Sequence, residues 1–417
     1  MRVMATEGPT SERWYWLDWL RVLSIGAVFL YHCGMPFVID STWHITNSQP
    51  DLMISLFNQL LVPIMPLLFV VSGIGTYFSL SKRSPVQFAW ERFKRLMIPF
   101  IVTGLLLILP IHVYFDSMFH GTFAGNFQSF YFGPYFTKFF PFDSDFSLTY
   151  FANSNQGIYL WYVFWLFMFS LVTVNFFKWL ARQENRSVIS RLATITNRLG
   201  GIFLLAIPLI IINVITVPPF FVFPTGYGGG KLPTYLAFFV TAYFLATDSR
   251  FGESIDKNKV LALLVGVGTH VFMLFLLVTF GAEAFTTTVP AYYIIGSVVW
   301  ALNGWSWVMA ILGFGRRFLS FKHKLLGFSN ELVLPFYILH QTIIVAIAFF
   351  VVDLNLIAIE KYLIIILASF SIVSVLLLPI RQFNVLRFLF GMRFKKGKRQ
   401  GACAPKKLWK KAVNSYC

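Results

Sequence analysis

One apolar stretch near the N-terminus carries two residues with the chemistry of a transfer reaction. Arg21 and His32 lie eleven positions apart in WLDWLRVLSIGAVFLYHCGMPF. On a helix, eleven residues turn through about 1100° and rise ~16.5 Å, so both side chains share one face. A neutral imidazole accepts a proton from a hydroxyl, and an arginine holds an anion. One such helix would join two substrates across a membrane, which suits group transfer; an interfacial arginine and a packing histidine are the alternative.

A second pair of arginines lies where another apolar stretch begins. In ERFKRLMIP, Arg92 and Arg95 are three positions apart and fall on one face of a helix. Two guanidinium groups so placed can bind a phosphate through paired hydrogen bonds. Anchoring at a basic membrane surface is the alternative for both. Asp18, about one turn before Arg21, can pair with that arginine.

Two further apolar stretches complete the set of candidate residues. In PLLFVVSGIGTYFSL, Ser72 and Gly73 allow either close helix packing or close approach of a donor. Ionisable groups inside a membrane are costly and are therefore candidates for function. His340, near mid-membrane depth, needs a polar partner and is expected to line the same cavity as His32. The stretch SNELVLPFYILHQ as a whole supplies possible cavity or acceptor residues, namely Glu331, Tyr337, His340 and Gln341.

The composition identifies the elements that must position these residues. Of the 417 side chains, 57% are hydrophobic and only 12% are charged, whereas charged residues make up ~25% of ordinary soluble proteins. Ten apolar stretches reach the ~20 residues that cross a ~30 Å hydrocarbon core. The sequence therefore predicts an all-α polytopic membrane protein, a bundle of about ten transmembrane helices. Their expected limits are 16–38, 53–79, 97–115, 157–180, 199–219, 233–248, 259–281, 290–314, 332–352 and 361–380.

The positions of the basic residues set the orientation and exclude nucleic acid as a partner. A net charge of +17 would suggest nucleic-acid binding in a soluble chain, but here the Lys and Arg cluster in alternate loops and in the tails. Only Lys138, Lys231 and Lys361 fall on the opposite side. Because basic loops stay in the cytoplasm, both termini are expected to be cytoplasmic. Residues 1–385 form the predicted transmembrane domain, and residues 386–417 form a basic cytoplasmic tail beside anionic lipid.

Other polar features receive simpler interpretations. His112 and His270 lack neighbours that form a motif and are interpreted as packing or cavity residues. Asp116 is assigned to an outside segment, roughly 116–156, whose many Phe and Tyr form either an interfacial belt or a platform for sugars. The three cysteines, Cys33 among them, offer neither a disulfide framework nor a metal site. No metal and no permanently bound cofactor is expected.

Taken in order, these motifs resemble the integral-membrane acyltransferase family 3, in particular its glucan-biosynthesis protein C-like branch, the glucan succinyltransferase-like proteins. The resemblance runs across nearly the whole chain. It rests on LDWLRVL…FLYHCGMPF, with ten residues between its Arg and its His, and on FVVSG, RFKRLMIP, AYFLATDSRF, LPFYILHQTIIV and LRFLFGM.

The resemblance implies an enzyme in the plasma membrane that transfers acyl groups other than aminoacyl groups. The donor would be a cytoplasmic acyl-CoA or similar thioester, and the acceptor would be a hydroxyl of a glycan or other molecule at the outer face. His32 would act as general base toward the acceptor, while Arg21, Arg92 and Arg95 would hold the phosphates of the donor. The acyl group, the acceptor and the oligomeric state are left open.

The chain departs from the family pattern at one place. The family commonly has a histidine before a Trp-aromatic pair, whereas this chain has Tyr159 before Trp161 in IYLWYVFW. Any role carried by that histidine is in doubt here, and both residues stay possible cavity residues. The resemblance also suggests a partner enzyme on the outer side. A transporter or flippase of an anionic or glycan substrate would line a pathway with the same groups, but internal repeats and paired broken helices are not evident.

Overall fold

The computed structural model describes residues 14–139 apart from 40 and 42, residues 160–216 apart from 183 and 185, and residues 232–280 and 290–395. This part of the chain is helical, with no strand. Its α-helices are α1 Tyr15–Gly34, α2 Leu52–Leu61, α3 Ile64–Leu80, α4 Pro85–Arg92, α5 Leu109–Phe119, α6 Phe127–Phe130, α7 Phe136–Phe139, α8 Trp161–Leu180, α9 Arg186–Thr196, α10 Ala206–Ile215, α11 Leu232–Leu245, α12 Ser249–Phe280, α13 Pro290–Phe318, α14 Lys324–Val351, α15 Ala358–Gln382 and α16 Asn384–Leu389.

Eight helical segments of the described chain are long and apolar enough to cross a membrane. The fold is therefore that of an all-α multi-pass membrane protein, as predicted. The expected fifth and sixth spans appear as shorter apolar helices, Gly201–Ile215 and Leu232–Leu245, so the number ten remains a prediction. The eight segments are Tyr15–Phe37, Leu52–Leu80, Pro85–Phe119, Trp161–Leu180, Ser249–Phe280, Tyr293–Phe318, Lys324–Val351 and Ala358–Gln382.

Helix α1 lies in the middle of the bundle, where it positions the Arg21 and His32 side chains. It packs against α3, α13 and α14. Apolar residues on several sides of α1 are buried in these contacts, among them Leu20, Ile25 and Val28. A helix held on several sides in this way has little freedom to tilt or rotate, because interior side chains are packed to near-crystalline density.

The third span is interrupted by proline and runs partly as π-helix. Ser84 begins it with a capping box in which the Ser84 side chain accepts from the Gln87 backbone N–H and the Gln87 side chain accepts from that of Ser84. The π-helical segments, Phe93–Met97 and Pro99–Ile108, follow α4 and lead into α5. π-helical segments of this kind are frequent at functional sites.

Pro110 in this span removes one backbone donor from the helix. A proline has no N–H, so the turn that contains the Leu105 and Leu106 carbonyls has one donor fewer than a regular helix. The hydroxyl of Tyr131 donates to the carbonyl of Leu106, and the hydroxyl of Tyr135 donates to that of Leu105. The aromatic segment after α5 therefore satisfies polar backbone that would otherwise face hydrocarbon.

The last described residues pack onto the bundle. The Thr103 hydroxyl donates to the carbonyl of Leu389 at the end of α16. Gly391 follows with a φ of 71°, a left-handed conformation that favours glycine. A Cβ atom at this position would also lie 2.5 Å from the carbonyl oxygen of Arg95. The basic tail expected from residue 386 begins inside this packed region, and residues 396–417 lie outside the described chain.

Candidate functional site

A cavity of about 700 Å³ opens between α1, α3, α4, α8 and α14 at one end of the bundle. This volume is within the ~300–1,000 Å³ that is usual for small-ligand sites. We call this end of the bundle, defined by Arg21, Arg92 and Arg95, the arginine end. Of the residues predicted from sequence, the cavity is lined by Arg21, Ser72, Arg92, Arg95, Glu331 and Tyr337.

Arg92 and Arg95 enter the cavity without carboxylate partners. Arg92 donates from Nη2 to the hydroxyl of Thr76 at 3.1 Å, and its guanidinium lies over the Phe88 ring. Arg95 donates from Nε to the carbonyl of Gly391 at 3.4 Å. Within the described chain, no Asp or Glu lies at ion-pairing distance from either guanidinium. Their positive charge is therefore available for an anionic ligand.

Arg21 is held in place by two polar side chains, Asp18 and Asn330. Its Nη1 atom lies 3.3 Å from Oδ1 of Asp18, which confirms the pairing expected from their spacing. Asn330 of α14 joins them, because its Oδ1 atom accepts from Arg21 at 3.3 Å and its Nδ2 atom donates to Asp18 at 2.9 Å. This network fixes the guanidinium of Arg21 against the wall of the cavity.

Ser72 and Tyr162 form a polar layer on the cavity wall. The Tyr162 hydroxyl donates to the backbone carbonyl of Leu68 at 3.2 Å. A phenol has one proton, so the Ser72 hydroxyl, 2.8 Å away, donates to the phenol oxygen. The Tyr162 ring meets that of Tyr337 edge to face, with centroids 5.9 Å apart. Sequence reasoning did not single out Tyr162, although a phenol inside an apolar span is a usable signal.

Beyond this layer the structure brings His32 and His340 into contact. The Nδ1 atom of His32 lies 3.1 Å from the Nε2 atom of His340, although 308 residues separate them. His340 also contacts Tyr337, with ring centroids 5.3 Å apart. Tyr337 therefore lies between the cavity and the histidine pair. We call the end of the bundle that holds this pair the histidine end.

Further ionisable groups, which sequence analysis did not group together, surround the histidine pair. Asp116 was expected in an outside loop, but α5 continues past it and leaves it only 2% exposed. The Nδ1 atom of His44 lies 3.1 Å from its Oδ1 atom. His112 lies one turn before Asp116 and meets the His44 ring edge to face, with centroids 4.1 Å apart. The i, i+4 spacing of His112 and Asp116 is the signal that could have revealed this group.

The remaining predicted site residues have other surroundings. Gly73 faces α11, where a Cβ atom would collide with the Phe239 carbonyl oxygen, so this glycine allows close helix packing. Trp161 packs its ring against those of Phe69 and Tyr235. Gln341 is buried in α14 beside His340. Tyr159 lies outside the described residues.

Glu331 lies at the edge of the cavity but is engaged by two arginines. Its Oε2 atom lies 3.2 Å from Nε of Arg381, and its Oε1 atom lies 2.6 Å from Nη2 of Arg387. Arg387 is 4% exposed, so this pair joins α16 to α14 at the arginine end. No group of three His, Cys, Asp or Glu side chains suited to a metal ion is found among the residues that the structure describes.

The described chain is a multi-pass helical bundle with an arginine-lined cavity and a pair of contacting histidines. Residues 14–379 match the model of the family described as Acyltransferase domain, acyltransferase family 3. The chain belongs to this family, and its class is therefore that of a membrane acyltransferase.

Two curated relatives narrow the comparison. Both are named Glucans biosynthesis protein C and come from Escherichia coli. The protein of strain SMS-3-5 / SECEC is 35% identical over 107 residues, which cover 24% of this chain and 26% of the relative. The protein of O1:K1 / APEC is 34% identical over 107 residues with the same coverage. The chain spans about a quarter of the length of these relatives, and no solved structure matches it.

Proposed function

We propose that the protein is an O-acyltransferase that uses the two ends of α1 for two substrates. A thioester donor occupies the cavity at the arginine end, and a hydroxyl acceptor approaches the histidine end. One observation carries the proposal: Arg21 lines the cavity, His32 lies three helical turns further along the same helix, and Tyr337 contacts both the cavity and the partner of His32. The same side of one helix thus connects an anion site with a base.

The chemistry of the cavity suits the phosphates of an acyl-CoA. Six basic residues line it, and of the two acidic residues there, Glu91 pairs with Arg83 at 2.9 Å. Glu331 is likewise neutralised by Arg381 and Arg387. The excess positive charge favours a polyanion, and apolar side chains that also line the cavity, among them Leu68, Val71 and Leu166, favour an uncharged chain ending in the thioester. Acyl-CoA is a co-substrate in this proposal and is not bound permanently.

The proposed step is acyl transfer with His32 as general base. The imidazole takes the proton of the acceptor hydroxyl while the oxygen attacks the carbonyl carbon of the thioester. The carbon–sulfur bond then breaks, and the thiolate leaves with a proton returned by the imidazolium. The products are an ester and a free thiol, so no oxidant or reductant is needed.

We also propose the orientation and the acceptor class. Because the basic loops adjoin the arginine end, this end faces the cytoplasm, where acyl-CoA is found, and both chain termini lie there. The membrane is then the plasma membrane and the acceptor lies at its outer face. A glycan acceptor is supported by the name of the matched relatives, Glucans biosynthesis protein C, and a partner enzyme could take the product onward.

The test is release of free CoA by the purified protein in detergent. Acetyl-CoA and succinyl-CoA are compared as donors, with and without a glucan acceptor, for the wild type, His32→Ala and a matched control, His270→Gln. His270 is also a buried histidine, but it lies on α12, away from the site. We expect acceptor-stimulated release that His32→Ala reduces by about 10²–10⁴-fold, the usual contribution of a general base, and that His270→Gln retains.

Two results would overturn this proposal. Equal rates in the wild type and His32→Ala would remove His32 from the chemistry. No release from either donor, together with uptake of donor or glycan into sealed vesicles, would instead indicate a transporter or flippase.

A further inference from the structure

We infer that His340 is a positioning residue that sets the tautomer of His32, so that Nε2 of His32 is the basic nitrogen. The inference rests on the proposed function, in which His32 takes a proton from the acceptor. It goes further by assigning one atom to that task and by giving the second buried histidine a separate role. The observation behind it is a chain of two hydrogen bonds from a backbone carbonyl through His340 to His32.

The first bond of this chain fixes the tautomer of His340. Its Nδ1 atom lies 2.6 Å from the backbone carbonyl oxygen of Tyr337. A carbonyl oxygen only accepts hydrogen bonds, so this ring nitrogen must carry the proton. In a neutral imidazole the other nitrogen, Nε2, then has a lone pair and can only accept.

The second hydrogen bond determines the tautomer of His32. Because Nε2 of His340 accepts, the Nδ1 atom of His32, 3.1 Å away, must be the donor. A neutral His32 with its proton on Nδ1 has its lone pair on Nε2. Nε2 is therefore the nitrogen that can receive the proton of a hydroxyl.

The difference in burial indicates which ring can react and which ring positions the other. His340 is 1% exposed, and both of its ring nitrogens are engaged, so it cannot reach a substrate. His32 is half-buried and lies at the more open position. The Phe336 ring stacks on His340 at a centroid distance of 6.2 Å, and the Trp43 ring stacks on His32 at 6.4 Å. These contacts hold both rings in the orientation that the hydrogen bonds require.

The same chain assists the reaction once a proton has moved. When Nε2 of His32 takes the hydroxyl proton, the ring becomes cationic and its Nδ1–H becomes a stronger donor to His340. His340 thus holds and stabilises the imidazolium without taking up its proton. A carboxylate performs this task in Ser-His-Asp triads, whereas here the direct partner of His32 is a neutral imidazole.

The first test is spectroscopic and does not depend on activity. The full-length protein, labelled with ¹⁵N-histidine, is studied by nuclear magnetic resonance in detergent, where the ¹⁵N shifts distinguish Nδ1–H from Nε2–H tautomers. His32→Gln and His340→Gln assign the two rings among the seven histidines. We expect both rings to be Nδ1–H tautomers near neutral pH. An Nε2–H tautomer at His32, or a doubly protonated His340, would overturn the inference while leaving the proposed function intact.

The second test is kinetic and compares two substitutions of the same residue. His340→Ala removes the acceptor for His32 and should lower kcat by about 10²–10⁴-fold, the range of a lost general base, with an unchanged KM for the donor. His340→Gln should recover part of this loss, because its Oε1 atom can accept from His32 and its amide can donate to the Tyr337 carbonyl. His270→Gln serves as the control and should keep the wild-type rate.

Non-additivity separates positioning from structural damage. If His340 acts through His32, the double variant His32→Ala/His340→Ala should be no slower than His32→Ala alone. Multiplied losses in the double variant, or equal rates for His340→Ala and the wild type, would overturn the inference. A protein that transfers no acyl group from any donor would refute the proposed function, and the tautomers would still decide the inference.

Discussion

Arg92 donates a hydrogen bond to the hydroxyl of Thr76, not to a carboxylate, at a distance of 3.1 Å. Arg92 is partly buried, and a guanidinium shielded from water is usually paired with an acid, because an uncompensated charge is costly away from water. A neutral acceptor orients Arg92 but leaves its charge unbalanced. An anion in the cavity would balance this charge.

Replacing either Arg92 or Arg95, the two cavity arginines without a carboxylate partner in the described chain, should weaken donor binding. Arg92→Gln and Arg95→Gln each remove a charge-assisted hydrogen bond to phosphate, worth ~1.5–3 kcal/mol, so the KM for acyl-CoA should rise about 10- to 100-fold. Steady-state kinetics with varied donor measures this change. Arg182→Gln is the matched control, since Arg182 is exposed and does not line the cavity. An unchanged KM in both cavity variants would place the donor elsewhere.

Arg21→Lys should weaken donor binding although the charge is kept. The planar guanidinium of Arg21 contacts Asp18 and Asn330 while it lines the cavity, and an ammonium group cannot reproduce this geometry. We expect the donor Kd, measured by isothermal titration with a non-hydrolysable acyl-CoA analogue, to rise by about tenfold, equivalent to ~1.4 kcal/mol. Equal affinity in Arg21→Lys and the wild type would remove Arg21 from the donor site.

Ser72→Ala and Tyr162→Phe should be energetically coupled. The two hydroxyls bond at 2.8 Å on the cavity wall, and a neutral hydrogen bond contributes ~0.5–1.5 kcal/mol. A double-mutant cycle on the free energy of donor binding should therefore show coupling of about that size. Tyr243→Phe is a suitable control, because its hydroxyl also donates to a helical carbonyl, that of Phe177, outside the cavity. Strictly additive effects would contradict the proposed polar layer.

Acyl transfer should be lost in acid. A base must be unprotonated, so kcat/KM should fall about tenfold per pH unit once the medium protonates His32, and should level off as pH rises. Rates of CoA release over a pH series measure this dependence, with His270→Gln expected to follow the wild-type curve. A rate that stays flat down to about pH 5 would argue against His32 as the base.

The parts of the fold that depend on local sequence could be predicted. The apolar stretches gave most of the long helices, because a membrane demands about 20 apolar residues per span. The common face of Arg21 and His32 followed from helical periodicity, and so did the pairing of Asp18 with Arg21. The expected spans 199–219 and 233–248 agree less well with the structure, which has shorter apolar helices of 10–17 residues there.

Contacts between distant segments could not be derived in the same way. Sequence placed His32 and His340 in one cavity, but their hydrogen bond depends on how α1 and α14 pack. His44 received no attention, because it lies in a short loop and gains its environment only from Asp116 and His112 of α5. Gly73 had two interpretations from sequence, close helix packing or approach of a donor, and only its contact with α11 shows the packing role.

The tyrosines that bind the Leu105 and Leu106 carbonyls have a consequence for biosynthesis. The ribosome synthesises the π-helical segment and α5 before Tyr131 and Tyr135, so the hydrogen bonds to the Leu105 and Leu106 carbonyls cannot yet form when this span first leaves the ribosome. Until the next twenty or so residues have been translated, this helix is a weaker insertion substrate than its hydropathy suggests. The hydrogen bonding of the third span is therefore completed only after the aromatic segment that follows it has been synthesised.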